Sequence, residues 1–278
     1  MISERDTMGG LAKGLLVIET FTADRPRQSI AEVSVASGLD RATARRCLLT
    51  LAHHGYADYD GKFFTLTPRV LRLGTACLAT MPLPQIMQPL LDDLSDRIGQ
   101  SSSVSILDGA EIVYIARAAQ RKVMSIGLMP GSRLPAFCTS MGRVLLAALP
   151  EGEARAILQA RPLLALTALT RTDPEGILVE MGRVRDQGYA IIDQEVEIGL
   201  RSIAVPIRNA RKQTVAAVNV GVSAFHQSAD DLKSAYLTDL LQIQARIRLC
   251  CTNRAEVEFP RPLDRVIPRG ELAAFQGP

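Results

Sequence analysis

The sequence predicts an α+β protein of two domains, a winged helix-turn-helix followed by an antiparallel sheet flanked by helices. Three observations lead to this class. The length of 278 residues exceeds the roughly 100 to 200 residues of a usual single domain. Residues 1–80 combine helical periodicity with a short hairpin pattern. After residue 80, capped helices alternate with β-prone runs that end in Asp-Gly or Pro-Gly turns.

Two helices are predicted at the start of the chain. Leu11, Leu15 and Ile18 recur at three- and four-residue steps, which places them on one face of the first helix. Ser29 and Glu32 have the spacing of a capping box, in which each side chain satisfies a free backbone donor at a helix start. The second helix therefore follows Ser29 and is expected to end near residue 37.

A third helix carries the main candidate interface. Gly38 permits a tight turn, and Asp40 is a favourable N-cap for a helix that continues to about residue 54. The apolar stripe of this helix must face the core, so Arg45 and Arg46 point away from it and Arg41 lies on the flank. Guanidinium groups near the start of such a helix suit the major groove of DNA, where arginine pairs with guanine.

A hairpin is predicted next around Asp60-Gly61, a pair that favours a type I′ turn. It is the expected wing, with Lys62 near its tip. A capped helix, a glycine turn, an arginine-bearing helix and a hairpin in this order indicate DNA binding rather than a merely solvated charged face. The candidate DNA-binding residues are Arg27, Ser29, Arg41, Thr43, Arg45, Arg46 and Lys62.

The rest of the chain is interpreted as a linker helix and a second domain. Thr67-Pro68 supplies the N-cap and first-turn proline of a linker helix that ends near residue 79. We place the winged helix-turn-helix and its linker in residues 1–80, the second domain in 81–252 and a tail without periodicity in 253–278. The predicted elements of the second domain are strands at 104–107, 111–116, 123–128, 202–208 and 214–222, and helices at 86–98, 139–149, 151–160, from 173 onward and at 230–251.

Composition excludes several classes of protein. The net charge is only +3, so DNA binding depends on where the arginines lie rather than on an overall field. The five cysteines include no CxxC pair and lie near no histidine cluster, so we expect no disulfide framework, metal or cofactor. The chain has no secretory segment and no apolar run of about 18 residues, which predicts a cytoplasmic protein with no membrane partner.

Two separate motifs resemble the IclR family of transcription regulators. One is PGSRLPAFCTSMGRVLLA at 130–147, with GYA at 188–190 and the run at 195–206. The other is DRATARRCLLTL at 40–51 with the following Gly-Tyr. The resemblance covers about residues 8–251, and LRSIAVP at 200–206 is most similar to the β-ketoadipate pathway subgroup, which regulates protocatechuate and 4-hydroxybenzoate genes.

The resemblance implies a GAF-like effector-binding domain with a pocket beneath the loop at 137–142. It also implies homodimers or homotetramers on palindromic, double-stranded operator DNA. In family members with known small-acid effectors, the positions that match Ser140, Met141, Ile192 and Ser202 contact the effector. Those members carry an acidic residue where this sequence has Ile192. That departure favours a larger or aromatic acid.

The residues themselves predict an anion site in that pocket. If Thr139 and Ser140 begin a helix, their hydroxyls and the free N–H groups converge on one point, where the helix dipole favours an anion. Arg133 or Arg201 is expected to provide a fork for a carboxylate. The candidate effector-binding residues are Leu128, Met129, Arg133, Phe137, Thr139, Ser140, Met141, Ile192, Arg201 and Ser202.

Two other classes of function stay open at this point. Asp193, Glu195 and Glu197 alternate, as the ligands of a metal or the acid and base of an enzyme can, but no catalytic motif accompanies them. A DNA-binding scaffold without a ligand is the other alternative. The favoured hypothesis is a transcription regulator, not an enzyme, that is controlled by an aromatic or dicarboxylic acid of aromatic catabolism.

Overall fold

The computed structural model describes residues 6–120 and 127–253 and divides into two compact units between Cys77 and Leu78. This division lies three residues before the predicted end of the first domain. The predicted tail beyond residue 253 lies outside the described residues, as does most of the predicted strand at 123–128. Gly127 and Leu128, the described end of that segment, form no strand.

Within residues 6–66, the first unit contains three α-helices and a small antiparallel sheet. The helices are α1 (Gly9–Glu19), α2 (Ile30–Ser37) and α3 (Arg41–His53), and the strands are β1 (Arg27–Ser29), β2 (Ala57–Tyr59) and β3 (Phe63–Leu66). The strand order is β1-β3-β2. Val17, Val33, Leu48 and Phe64 are fully buried and form the centre of its core. Because α2, α3 and the hairpin share this core, the predicted winged helix-turn-helix is confirmed.

Local signals explain where these helices begin and end. The Ser29 hydroxyl accepts from the backbone N–H of Glu32, whose carboxylate accepts from the backbone N–H of Ser29 at 2.7 Å, so the capping box is present. Gly38 has a φ of 72° and ends α2 in the left-handed conformation. The Asp40 carboxylate accepts from the N–H of Thr43 at 2.8 Å and caps α3. The predicted turn between the two helices is therefore confirmed.

The hairpin turn differs from its prediction by one residue. Gly61 has a φ of 99°, but neither Asp60 nor Lys62 has a positive φ, which a type I′ turn at Asp60-Gly61 requires. The Asp60 carboxylate instead accepts from the N–H groups of Lys62 and Phe63. The type I′ assignment was therefore wrong, because the aspartate folds the turn through its side chain while glycine takes the left-handed position.

A six-stranded antiparallel sheet organises the second unit, and its strand order is β6-β5-β4-β9-β8-β7. The division between the units falls within α4 (Leu71–Thr80), which follows a 3-10 turn at Pro68–Val70. The strands are β4 (Ser101–Asp108), β5 (Glu111–Ala118), β6 (Arg133–Pro135), β7 (Ala190–Asp193), β8 (Leu200–Arg208) and β9 (Thr214–Ser223). The helices are α5 (Pro82–Ile98), α6 (Ser140–Ala147), α7 (Glu151–Gln159), α8 (Pro174–Gln187) and α9 (Ala229–Asn253).

Helices cover both faces of this sheet. One apolar cluster joins α5 and α9 to the strands, with Leu91, Val205 and Leu240 fully buried. A second cluster joins α6 and α8 to the opposite face. Every residue of α6 is buried, and a Cβ at Gly142 would lie 2.1 Å from the carbonyl oxygen of Ala136. Helix α6 is therefore packed tightly between its own N-terminal loop and the sheet. No helix in the described ranges is long and apolar enough to cross a membrane.

Candidate nucleic-acid interface and ligand cavity

The exposed side of α3 carries three arginines. Arg41, Arg45 and Arg46 are exposed, and in the described part of the chain no carboxylate lies within salt-bridge distance of any of them. The carboxyl group of the N-cap Asp40 stays ionised over a wide pH range, because hydrogen bonds from Thr43 lower its pKa. The first turns of α3 therefore present positive charge that its own unit leaves available to phosphates or bases.

Thr43 is the exception among the candidates on α3. It is buried, and its hydroxyl oxygen lies 3.4 Å from Nη2 of Arg46, which donates to it. The apolar side of the helix includes this position, because Thr43 lies one residue before Ala44 on the side that faces α1 and α2. The burial of Thr43 therefore argues against a direct contact with DNA, and its hydroxyl accepts a hydrogen bond from Arg46 instead.

The wing brings the remaining candidates together. Arg27 on β1 pairs with Asp60 at 2.5 Å and lies 4.1 Å from the ring centre of Phe63. This ion pair lowers the pKa of the Asp60 carboxyl group. Lys62 is exposed at the hairpin tip, 5.0 Å from the same ring. The Ser29 hydroxyl is engaged in the helix cap. Arg27 and Lys62 thus line the wing, whereas Ser29 mainly fixes the start of α2.

A cavity of about 450 Å³, counting the space that opens to solvent, lies in the second unit beside the first turn of α6. Strands β4, β5, β8 and β9 form its floor. It is lined by Ser101, Tyr114, Arg117, Leu134, Thr139, Ser140, Met141, Val196, Leu200, Ser202, Asn219 and Gly221.

The start of α6 is held in place by hydrogen bonds. Thr139 is the N-cap, and its hydroxyl accepts from the N–H of Gly142 at 3.1 Å. Ser202 on β8 donates to the hydroxyl oxygen of Ser140 at 2.8 Å. Gly221 on β9 pairs with both Ser101 and Ser202 and has no side chain to fill the space above it. Small residues on the floor and a fixed helix start therefore create the cavity.

Four of the ten predicted effector-binding residues line this cavity, namely Thr139, Ser140, Met141 and Ser202. The other six lie elsewhere. Phe137 and Ile192 are buried in the core, Leu128 packs against the second apolar cluster, and Met129 is 63% exposed. These residues were expected at the pocket because they are close to its helix in sequence or match positions of the family, but their side chains serve packing or face solvent.

The carboxylate forks predicted at Arg133 and Arg201 are already engaged. Arg133 binds Asp108 at 2.6 Å and Glu111 at 2.8 Å on the exposed hairpin. Arg201 binds Asp193 at 2.6 Å and donates to backbone carbonyls at 224 and 227. Both arginines lie outside the cavity lining, so their proposed contact with an effector carboxylate is withdrawn.

Arg117 is the cationic residue that sequence reasoning missed. It lies on β5, and its Nη1 donates to the Ser103 hydroxyl on β4 at 2.8 Å. Burial lowers the pKa of its guanidinium group. A signal existed in the alternating serines at 101, 103 and 105, because hydroxyls repeated on one face of a buried strand indicate a polar cavity. The sequence alone did not reveal which strand would lie beside them.

A buried ion network holds the far side of α6. Arg143 is fully buried and binds Glu180 at 2.5 Å and Glu195 at 3.1 Å. Burial raises the pKa of Glu195, and the charge of Arg143 acts in the opposite direction. Asp193 is engaged by Arg201. Asp193 and Glu195 therefore have arginine partners, and the described residues contain no cluster of metal-ligating side chains.

Comparisons with known proteins agree with this geometry. The family model described as the IclR helix-turn-helix domain matches residues 10–61. The model described as the bacterial transcriptional regulator IclR C-terminal matches residues 75–247. The first match lies within the first unit and contains the candidate DNA-binding residues except Lys62. The second match begins three residues before the second unit and contains all residues that line the cavity.

Relatives along most of the chain carry regulatory names. The Pca regulon regulatory protein of Pseudomonas putida is 43% identical over 237 residues, which cover 85% of this chain and 81% of that protein. The p-hydroxybenzoate hydroxylase transcriptional activator of Acinetobacter baylyi is 38% identical over 223 residues, covering 78% and 82%. A solved structure of the Acinetobacter PobR inducer-binding domain, a double mutant with 3-hydroxybenzoic acid, is 31% identical with a TM-score of 0.56, covering 59% of this chain and 97% of that one.

Proposed function

Because this chain belongs to the IclR family of bacterial transcription regulators, we propose that it binds operator DNA under the control of a small aromatic acid. The observation that carries the proposal is the partly polar cavity beside α6 in a chain whose other unit presents exposed arginines on a helix-turn-helix. The names of the Pca regulon and p-hydroxybenzoate hydroxylase relatives support aromatic catabolism as its field of action.

The proposed DNA contacts follow from exposure and charge. Arg45 and Arg46 enter the major groove with α3, and Arg41 neutralises a flanking phosphate. Lys62 and Arg27 lie on the wing and contact the backbone of the adjacent groove. A helix-turn-helix unit of this size reads one half-site, so a homodimer or homotetramer on a palindromic operator remains part of the proposal. The protein then acts in the cytoplasm, where its operator lies.

Control by the effector is a shift between two states that differ in affinity for DNA. A ligand shifts such an equilibrium only if it binds one state more tightly than the other. The cavity touches the start of α6 and the four strands of its floor, so its filling is expected to favour one arrangement of this unit. The change reaches the DNA-binding unit through α4, the helix in which the chain passes from one unit to the other.

The test uses fluorescence anisotropy with the full-length protein and the DNA upstream of its own gene. Wild-type protein is expected to bind this DNA, and 4-hydroxybenzoate, protocatechuate or β-ketoadipate is expected to change the affinity. Replacing both Arg45 and Arg46 by Ala is expected to weaken binding by about tenfold or more, since base or phosphate contacts contribute roughly 1 to 3 kcal/mol each. The slope of log affinity against log salt should fall as well.

Arg161→Ala is the matched control, because it removes one exposed arginine from the second unit. It is expected to leave DNA affinity unchanged. Equal affinity of the Arg45/Arg46 double variant and the wild type at fixed salt would contradict the proposed recognition face. DNA binding that no acid alters, together with no ligand-induced rise in melting temperature, would favour a scaffold without a ligand.

A further inference from the structure

The hairpin tip of the wing carries a carboxylate beside its cations, and this carboxylate opposes a contact with phosphates. We propose that Asp60 limits the affinity of the wing for DNA: it binds Arg27 in the free protein, and a phosphate of the DNA backbone takes its place when the wing meets the duplex. This inference rests on the proposed function, and it names a residue of the first unit that works against DNA binding.

The turn of the wing holds Asp60 in place. Oδ1 of Asp60 accepts from the backbone N–H groups of Lys62 at 3.0 Å and Phe63 at 2.8 Å. Its Oδ2 accepts from Nη2 of Arg27 at 2.5 Å. Hydrogen bonds from Arg27 and from these N–H groups lower the pKa of the carboxyl group, so Asp60 is ionised near neutral pH. One oxygen therefore builds the turn, while the other presents a negative charge to the arginine.

Arg27 is able to exchange this partner for another anion. Asp60 engages one nitrogen of the guanidinium group, which has further N–H donors. The side chain of Arg27 is 56% exposed and that of Asp60 is 46% exposed. An ion pair at such an exposed position contributes little to stability, so its separation costs little. A phosphate binds the planar guanidinium through two parallel hydrogen bonds and is therefore the stronger partner.

The ring of Phe63 holds both cations of the wing close to the hairpin. Cζ of Arg27 lies 4.1 Å from the ring centre, and Nζ of Lys62 lies 5.0 Å from it. The attraction between a cation and the face of an aromatic ring does not depend on Asp60. Arg27 therefore stays at the wing when the ion pair separates, and it loses little conformational freedom when it binds a phosphate.

The effect of Asp60 is expected to be the same on every duplex. Contacts to phosphates carry no sequence information, whereas Arg45 and Arg46 read bases under the proposed function. Binding to unrelated DNA depends almost entirely on phosphate contacts. Asp60 therefore weakens the binding of this protein to DNA of any sequence and contributes nothing to base recognition.

The experiment compares Asp60→Asn with the wild type by fluorescence anisotropy of the full-length protein. The probes are the DNA upstream of its own gene and a scrambled duplex of the same length. The asparagine oxygen still accepts from the N–H groups of the turn, but the negative charge is gone. We expect Asp60→Asn to tighten binding to both duplexes by about threefold to tenfold at fixed salt. The slope of log affinity against log salt should become steeper by up to about one.

Two further variants serve as checks on this result. Asp60→Ser, whose hydroxyl also accepts from the turn, should show the same gain in affinity. Glu175→Gln is the matched control, because it removes one carboxylate partner of the exposed Arg155 in the second unit. It should bind both duplexes as the wild type does. The melting temperature of each variant checks that it is folded.

Arg27→Gln tests whether Asp60 acts through the arginine. In this background, Asp60→Asn is expected to tighten binding by less than about twofold, because no arginine is left for the phosphate to take over. No gain from Asp60→Asn or Asp60→Ser, or an equal gain with and without Arg27, would overturn this inference and leave the proposed function intact. If the wild type binds neither duplex, the proposed function itself is wrong.

Discussion

The arginines of α3 and the ion-paired arginines of the second unit are used in opposite ways. On α3, Arg41, Arg45 and Arg46 are exposed, and no carboxylate of the described chain lies within salt-bridge distance of them. In the second unit, Arg133, Arg143 and Arg201 are bound by carboxylates of the same unit. Charge that is left available on a surface serves an external partner, whereas charge that is neutralised internally serves the fold.

The largest expected effect comes from removing the buried arginine. Arg143→Met is expected to reduce the free energy of unfolding by about 3 to 5 kcal/mol, because Glu180 and Glu195 lose the charge that compensates their burial. Urea denaturation of the purified variant measures this loss. If the loss is below about 1 kcal/mol, the buried network does not hold the second unit together.

Two controls sharpen this comparison. Arg133→Met also removes an arginine with two carboxylate partners, but those pairs are largely exposed, so the loss should stay below about 1 kcal/mol. Replacing Arg45 and Arg46 by Ala should change stability by about 0.5 kcal/mol or less, because neither side chain supports the core. The same change on α3 therefore affects DNA affinity and leaves the free energy of unfolding nearly unchanged.

Glycine substitutions in the second unit separate packing from helix propensity. Gly142→Ala is expected to cost about 1 to 3 kcal/mol, because its Cβ would overlap the backbone of Ala136 and displace the start of α6. Gly152→Ala on α7 meets no atom within 4 Å and should raise stability by up to about 1 kcal/mol. Thermal denaturation of both variants checks the contrast. Equal melting temperatures of the two variants would contradict the close packing of α6 against the backbone of Ala136.

Cysteine labelling gives the smallest and most local comparison. Burial raises the pKa of Cys138 to about 12, so roughly one molecule in ten thousand carries the thiolate at pH 8. Cys77 on α4 is exposed. Iodoacetamide is expected to label Cys77 in the native protein and Cys138 only in denaturant, as measured by mass spectrometry of the peptides. Native labelling of Cys138 at the rate of Cys77 would contradict the tight packing beneath α6.

The sequence predicted the helix-turn-helix of the first unit more accurately than the cavity of the second unit. The helix-turn-helix depends on signals that are close in sequence, and Ser29 with Glu32, Gly38 and Asp40 all act as predicted. Thr43 was misjudged because its burial depends on how α3 packs against other helices. Helix starts of this kind were also read correctly at Thr139, which caps α6.

The cavity resisted prediction because it is assembled from segments far apart in the chain. Ser103, Arg117 and Asn219 become neighbours only when β9 pairs with β4 in the middle of the sheet. No local pattern records that pairing. We predicted Arg133 and Arg201 as carboxylate-binding residues because they are close in sequence to the family motifs. In the structure, each forms an ion pair with a carboxylate of its own unit. Proximity in sequence was a poor guide wherever the sheet topology decides which residues meet.

Gly221 has no side chain at the floor of the cavity, and this affects how mutation can change the cavity. A Cβ at this position would meet nothing closer than 3.8 Å, a methyl carbon of Leu200, and the residue does not require a glycine-only conformation. Alanine or serine therefore fits without strain, and it would shorten the space above the floor by one or two atoms. Under the proposed function, a single codon change at Gly221 is therefore expected to alter which metabolite fits the cavity, while the remainder of the scaffold stays as it is.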